Sequence, residues 1–278
     1  MGIHDGKQMH GMHAMHVVHD GPREAPPLVL IHGSGASGSS WGPVVPALAG
    51  RHHVIRVDLP GHGQSPPAPS YGVPEQAASL ARALDELGLG PVTVAGHSSG
   101  GYIATALAEQ RPDLVGSLAL ISSGPSPDAL LPQPVLLRVL IDRPLGPLLW
   151  RVRSDGMLRR GVTAVCNRPV DVPDDLIADV RGIDYRTFRE VLRHNGAYIA
   201  ERTLPARLTA LGVPVLVIFG AADPRWDPSS AHQYDTVPNA RVEQLPDVGH
   251  FPMLEAPEAT GELLLRFAAT AADAQHLP

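Results

Sequence analysis

The stretch Pro91-Val92-Thr93-Val94-Ala95-Gly96-His97-Ser98-Ser99-Gly100-Gly101 decides the reading of this chain. A short β-branched, apolar run ends in the pentapeptide G-x-S-x-G, and an Ala-rich, helix-like segment follows. The chain must leave a strand, turn sharply and enter a helix, which pushes the middle serine, Ser98, into a strained and exposed position above the sheet edge. Only small residues fit on either side of so tight a turn, and here they are Gly96 and Gly100. A serine hydroxyl is a weak nucleophile until a base takes its proton, so the motif predicts a histidine and an acid further along.

Both follow in order. The run Val215-Leu216-Val217-Ile218-Phe219 ends in Gly220-Ala221-Ala222-Asp223, and the run Arg241-Val242-Glu243-Gln244-Leu245 precedes Asp247-Val248-Gly249-His250. Asp223 and His250 thus stand where a parallel sheet presents the carboxyl ends of its strands, the usual place for a site in such folds. Asp227, four residues beyond Asp223, is the alternative acid.

Outward from this centre, runs at 13–19, 27–31, 53–57, 92–95, 117–121, 215–219 and 241–245 read as strands. Helical patterns at 41–49, 74–87, 100–110 and 252–270 alternate with them, which implies a mostly parallel sheet covered on both faces. Within 74–87, Pro74 stands at the start, Gly88 at the stop, and Ala77, Leu80, Ala81, Leu84 and Leu87 form a core-facing stripe. From Ser123 to Leu208 the strand pattern gives way to prolines and then to arginine-rich, helix-like segments around 135–140, 145–158, 176–183 and 185–192.

Four segments carry a resemblance to a known family: Leu30-Ile31-His32-Gly33-Ser34, Asp58-Leu59-Pro60-Gly61-His62-Gly63-Gln64-Ser65, the serine turn, and Gly249-His250 followed by Glu255-Ala256-Pro257-Glu258. In this order and spacing they resemble the α/β-hydrolase fold superfamily, in its esterase, perhydrolase and carbon–carbon hydrolase branches. The resemblance implies an eight-stranded, mostly parallel α/β sheet with a helical cap inserted after strand six. It divides the chain into core residues 1–122, a cap over 123–208 and core residues 209–278, with Trp150 and Met157 as candidate pocket residues. It implies a catalytic triad of Ser98, Asp223 and His250, with the backbone N–H groups of Ser34 and Ser99 as oxyanion hole. The expected reaction is acyl-enzyme hydrolysis of a small ester or lactone. Ring-cleavage diketone hydrolysis, thioester hydrolysis, perhydrolysis and a small-molecule receptor of the same fold stay open.

The segment Gly33-Ser34-Gly35-Ala36-Ser37-Gly38 also fits G-x-G-x-x-G, but Ser39-Ser40-Trp41-Gly42-Pro43 delays the helix that a dinucleotide pyrophosphate would need. No cofactor is expected. His10, His13, His16 and His19 recur every third residue, a period that matches neither face of a strand, and no ligand pair stands at zinc spacing with a third nearby, so no metal is expected. The net charge of −6 argues against nucleic acid as a partner. No apolar run approaches the roughly 18 residues of a membrane span. The start of the chain lacks a basic-then-apolar leader, and Cys166 is the only cysteine, so a cytoplasmic monomer or homodimer acting on a small acyl substrate is expected. One lysine against 21 arginines, with much Ala, Pro and Gly, suggests a GC-rich bacterial genome. Residues 125–205 carry 12 Lys+Arg against 10 Asp+Glu on an otherwise acidic chain. That excess reads either as solvated helix faces or as a lid favouring anionic substrates.

Overall fold

The computed structural model describes residues 15–133 and 145–275 of the 278-residue chain. Seven strands form one sheet: β1 (Val17–Asp20), β2 (Pro27–Ile31), β3 (His53–Val57), β4 (Val92–His97), β5 (Val115–Ile121), β6 (Val215–Gly220) and β7 (Ala240–Leu245). They lie in the order β1-β3-β2-β4-β5-β6-β7. Only β1 is antiparallel, pairing Val17 with Val57 across β3. The eight strands implied by the family pattern are therefore seven among the described residues, because a single antiparallel strand edges β3. Among the described residues the helical insertion follows the fifth strand.

Strand pleating explains why these runs are apolar throughout. Successive side chains point to opposite faces, and both faces of this sheet are covered. Val29, Ile31, Val94, Leu118, Leu120, Val217 and Phe219 belong to one core, with Leu80 and Leu84 of α2 (Val73–Glu86) and Ile103 and Leu107 of α3 (Ser99–Gln110). Their neighbours Leu28, Leu30, Ala95, Ala119, Leu216 and Ile218 face the other core, with Leu48 from the helix Val45–Ala49 and Leu264 from the helix Pro257–Gln275. Each fully buried Leu, Ile or Val contributes roughly 1.5–3 kcal/mol.

Between β5 and β6 lie five described α-helices, Gly146–Arg151, Asp155–Thr163, Asp174–Gly182, Tyr185–Glu201 and Leu204–Leu211. The segment expected as one helix over 145–158 is broken at Ser154, whose hydroxyl caps the second piece by accepting from the Met157 N–H at 3.3 Å. The helix expected at 185–192 runs on to Glu201, since Gly196 lowers helix propensity without ending a long amphipathic stripe. The expected helix at 135–140 lies outside the described residues. Near the C-terminus the expected single helix is two, Pro252–Glu255 and Pro257–Gln275, because Pro257 disfavours helical backbone at Ala256. Among the described residues no helix is long and apolar enough to cross a membrane.

The topology fixes where a site can form. From β2 the chain moves outward to β3, then returns to place β4 on the opposite side of β2. Beyond the carboxyl ends of β2 and β4 the connecting loops diverge and leave a crevice, and His32-Gly33-Ser34 and Ser98 lie at its edge.

Candidate active site

Ser98 sits between β4 and α3 at φ 52° and ψ −120°, a left-handed conformation for a residue that carries a side chain. Such strain costs of order 1–3 kcal/mol and survives only where the surroundings enforce it. Here they do so at three points. The Ser98 N–H donates to Ile121 O at 2.7 Å, and the Ser123 hydroxyl donates to Ser98 O at 2.8 Å. A Cβ on Gly96 would stand 2.4 Å from the Gly100 backbone, and one on Gly100 would stand 2.5 Å from Ile31 O. Those two glycines are what lets the turn close against β2.

The hydroxyl of Ser98 lies 3.1 Å from His250 Nε2, and His250 Nδ1 lies 2.9 Å from Asp223 Oδ2. A carboxylate only accepts, so Nδ1 carries the proton and Nε2 is left to accept from Ser98. His250 and Asp223 are buried, at 4% and 2% exposure, which keeps water from competing for this relay. The second oxygen of Asp223 accepts the backbone N–H groups of Arg225 at 2.8 Å and Trp226 at 3.2 Å. Asp227, the alternative acid, is engaged elsewhere: its Oδ1 accepts from the Ser229 N–H at 2.9 Å and caps the turn Pro228–Thr236.

Ser34 and Ser99 meet beside Ser98. Their hydroxyls are 2.8 Å apart, and Asn195 Nδ2 donates to the Ser34 hydroxyl at 2.9 Å. Ser99 is the first residue of α3, so its backbone N–H has no intrahelical acceptor. Gly33 brings the preceding loop so close that a Cβ there would lie 3.0 Å from the Ser98 Cβ. A cavity of about 360 Å³ opens over this group, and its wall includes Ser34, Ser98, Ser99, Asn195, Arg225 and Trp226.

A model of the alpha/beta hydrolase family matches residues 28–263. The chain belongs to the alpha/beta hydrolase family. The dihydrolipoyllysine-residue acetyltransferase component of the acetoin cleaving system of Pseudomonas putida is 30% identical over 259 residues, 87% of this chain and 63% of that protein. The (E)-2-((N-methylformamido)methylene)succinate hydrolase of Acinetobacter baylyi is 40% identical over 100 residues, 36% of this chain and 38% of its own. The crystal structure of a bacterial membrane phospholipase A superposes with a TM-score of 0.76 at 27% identity, covering 94% of this chain and 87% of that one.

Two residues of this alpha/beta hydrolase that lie within the quoted motifs, Glu255 and His97, hold the His250 loop in place. Glu255 is buried and accepts four backbone N–H groups. Its Oε2 takes those of Asn167 (2.7 Å), Gly249 (2.8 Å) and Arg168 (2.9 Å), and its Oε1 takes that of Phe251 (3.1 Å). It thereby ties the His250 loop to the inserted helical segment, which also accepts the His250 N–H at Val165 O, 2.8 Å away. His97 donates from Nε2 to His250 O at 2.8 Å; burial and the neighbouring His250 hold its ring well below the ordinary histidine range, so it stays neutral. Trp150 and Met157 do not line the cavity. Trp150 packs on Phe188 at 4.8 Å and donates to Ile183 O, and Met157 faces solvent. The inserted segment contributes Leu192, Asn195, Gly196 and Ile199 to the wall instead.

The remaining polar motifs hold loops. Burial alone would raise the Asp58 carboxyl, but the N–H groups of Gln64 and Gly38 and the His16 ring, 2.8 Å away, outweigh it and hold it below its ordinary value. His19 stacks on His53, so of the histidine tract the two described members pack against β3 and its end. His10 and His13 lie outside the described residues.

Proposed function

We propose that this chain hydrolyses small carboxylic esters or lactones through an acyl-enzyme on Ser98, with residues 123–208 serving as the cap. The observation that carries the reading is the continuous relay from Ser98 Oγ through His250 to Asp223, at 3.1 and 2.9 Å, opening on a cavity. As Ser98 Oγ attacks the substrate carbonyl, its proton passes to His250 Nε2, and Asp223 stabilises the imidazolium from the Nδ1 side. Negative charge grows on the carbonyl oxygen, where the backbone N–H groups of Ser34 and Ser99 receive it. One such donor is worth about 10²–10³ in turnover. His250 then gives its proton to the leaving alcohol and an acyl-Ser98 ester remains. Water, deprotonated by His250, attacks that ester, releases the carboxylic acid and restores the serine.

The likeness to a membrane phospholipase A at 27% identity supports the ester reading. The test is hydrolysis of p-nitrophenyl acyl esters of graded chain length by the protein and by Ser98→Ala. The variant is expected to lose turnover and keep its thermal midpoint. Undiminished hydrolysis by Ser98→Ala refutes the reading.

A further inference from the structure

The cavity over Ser98 has a cation in its wall that pairs with no carboxylate among the described residues. Among the described residues of its wall, Arg225 is the only one with a charged side chain; the polar remainder is neutral and includes Ser34, Gln133 and Asn195. Other withdrawn arginines in this chain have partners. Arg207 meets Glu109 at 3.1 Å, and Arg56 meets Asp20 at 2.8 Å. Arg153 spends its guanidinium on the carbonyls of Trp150, Val180, Arg181 and Ile183. The Arg225 guanidinium, partly buried, makes no hydrogen bond or ion pair with any described residue and rests 5.7 Å from the centre of the Trp226 ring.

The carboxylate nearest in sequence, Asp223, makes no hydrogen bond to it; its oxygens accept from His250 and from the backbone N–H groups of Arg225 and Trp226. The backbone at Arg225 is also fixed on both sides. Its N–H donates to Asp223, and its carbonyl accepts from the Leu131 N–H at 3.0 Å, within the short pairing of Leu130 with Trp226. A cation is thus held on a rigid strap at the wall of the pocket. Burial pushes the guanidinium down, while Tyr102 and Asp223 draw it back up, and an arginine in such a place remains charged at neutral pH. A withdrawn charge with no partner is rare in folded proteins, because desolvation penalises it until a counter-charge arrives.

We infer that Arg225 is a specificity-determining residue and that the substrate carries a carboxylate, apart from the bond that is cleaved, which pairs with its guanidinium. The inference rests on the hydrolase reading and deepens it. The planar fork of arginine matches a carboxylate in two parallel hydrogen bonds, which a neutral ester of the same shape cannot offer. The arginine-rich inserted helices, with their small excess of positive charge, are not needed for this; the cation sits on the loop that follows β6.

Two matched pairs test it. Monoethyl adipate against ethyl hexanoate places the anion on the acyl side; 4-acetoxybenzoate against its methyl ester places it on the leaving group. A charge-assisted contact predicts a preference of roughly ten- to hundredfold in kcat/KM for the anionic member of at least one pair. Arg225→Met is expected to collapse that ratio to near unity, and Arg225→Lys, which keeps the charge, to retain most of it. No anionic preference in either pair, or an unchanged ratio in a folded Arg225→Met, overturns the inference while leaving the hydrolase reading intact. Failure of the wild-type protein on all four esters, with no fluorophosphonate adduct on Ser98, refutes that reading and this inference with it. Should Arg225→Met not fold, the wild-type ratio decides together with its salt dependence: added sodium chloride is expected to shrink the preference, and a preference indifferent to salt counts against a charge contact.

Discussion

Replacing Glu255 by Gln isolates what holds the base in place. The carboxylate accepts four backbone N–H groups, three at Oε2 and one at Oε1, in a position only 7% exposed. The amide that replaces it has one oxygen. Turned to keep the three donors of Asn167, Arg168 and Gly249, it points its NH₂ at the Phe251 N–H, donor against donor. A hydrogen bond to a charged group contributes about 1.5–3 kcal/mol, and the remaining three lose their charge assistance, so a total near 3 kcal/mol is expected. For a chain of this size that lowers the thermal midpoint by roughly 6–12 °C. The loop being loosened carries His250, and displacement of a reacting group by an ångström costs about 10² in rate, so kcat on p-nitrophenyl acetate should fall while KM moves little. Glu258→Gln, three residues on and exposed, is the control, expected within about 0.5 kcal/mol of wild type. Thermal unfolding and steady-state kinetics of both variants give the answer. A Glu255→Gln protein that melts with the control and turns over at the wild-type rate refutes the clamp.

Further outcomes follow from the same geometry. Asp223→Asn should lower kcat by about 10⁴, because an amide facing Nδ1 no longer fixes the tautomer, whereas Asp227→Ala should lose about 1 kcal/mol of capping and keep its turnover; equal kinetic losses in the two variants would reverse the choice of acid. His62 titrates near 6.5 when unfolded, while burial and the neighbouring His32 hold it down to about 3 in the fold. The unfolded chain therefore binds the extra proton throughout that window, so stability is full above pH 6.5 and drains as pH falls. About 2 kcal/mol is lost between pH 7 and pH 5 through this one group. His32 and His97, also lowered by burial, act in the same direction. Thermal midpoints measured across that range should fall less steeply for His62→Asn, and an identical slope would contradict the assignment.

Much of this molecule is legible before folding because local chemistry dictates it. Gly96 and Gly100 announce a turn that only glycine permits, and the strands alternate so regularly between two cores that their positions follow from the apolar runs. Asp223 and His250 are expected from their places just after strand-like runs, and the fold brings them within hydrogen-bond reach of each other and of Ser98. What was not legible depends on long-range packing. Asn195 reaches Ser34 across 161 residues, and periodicity along its helix tells which face is apolar, not which loop that face will meet. The same limit put Trp150 and Met157 at the pocket, although one packs inside the inserted helices and the other faces solvent. Nothing in the local sequence marks Arg225; that its guanidinium has no hydrogen-bond partner among the described residues emerges only from the fold.

The most direct test of the account is to treat the protein with a fluorophosphonate at neutral pH and locate the adduct by peptide mass spectrometry. The relay Ser98–His250–Asp223 predicts one phosphonylated residue, Ser98, with labelling much slower in Asp223→Asn and absent in Ser98→Ala. An adduct on another serine, or wild-type labelling of Ser98 that is indifferent to the loss of Asp223, would contradict it.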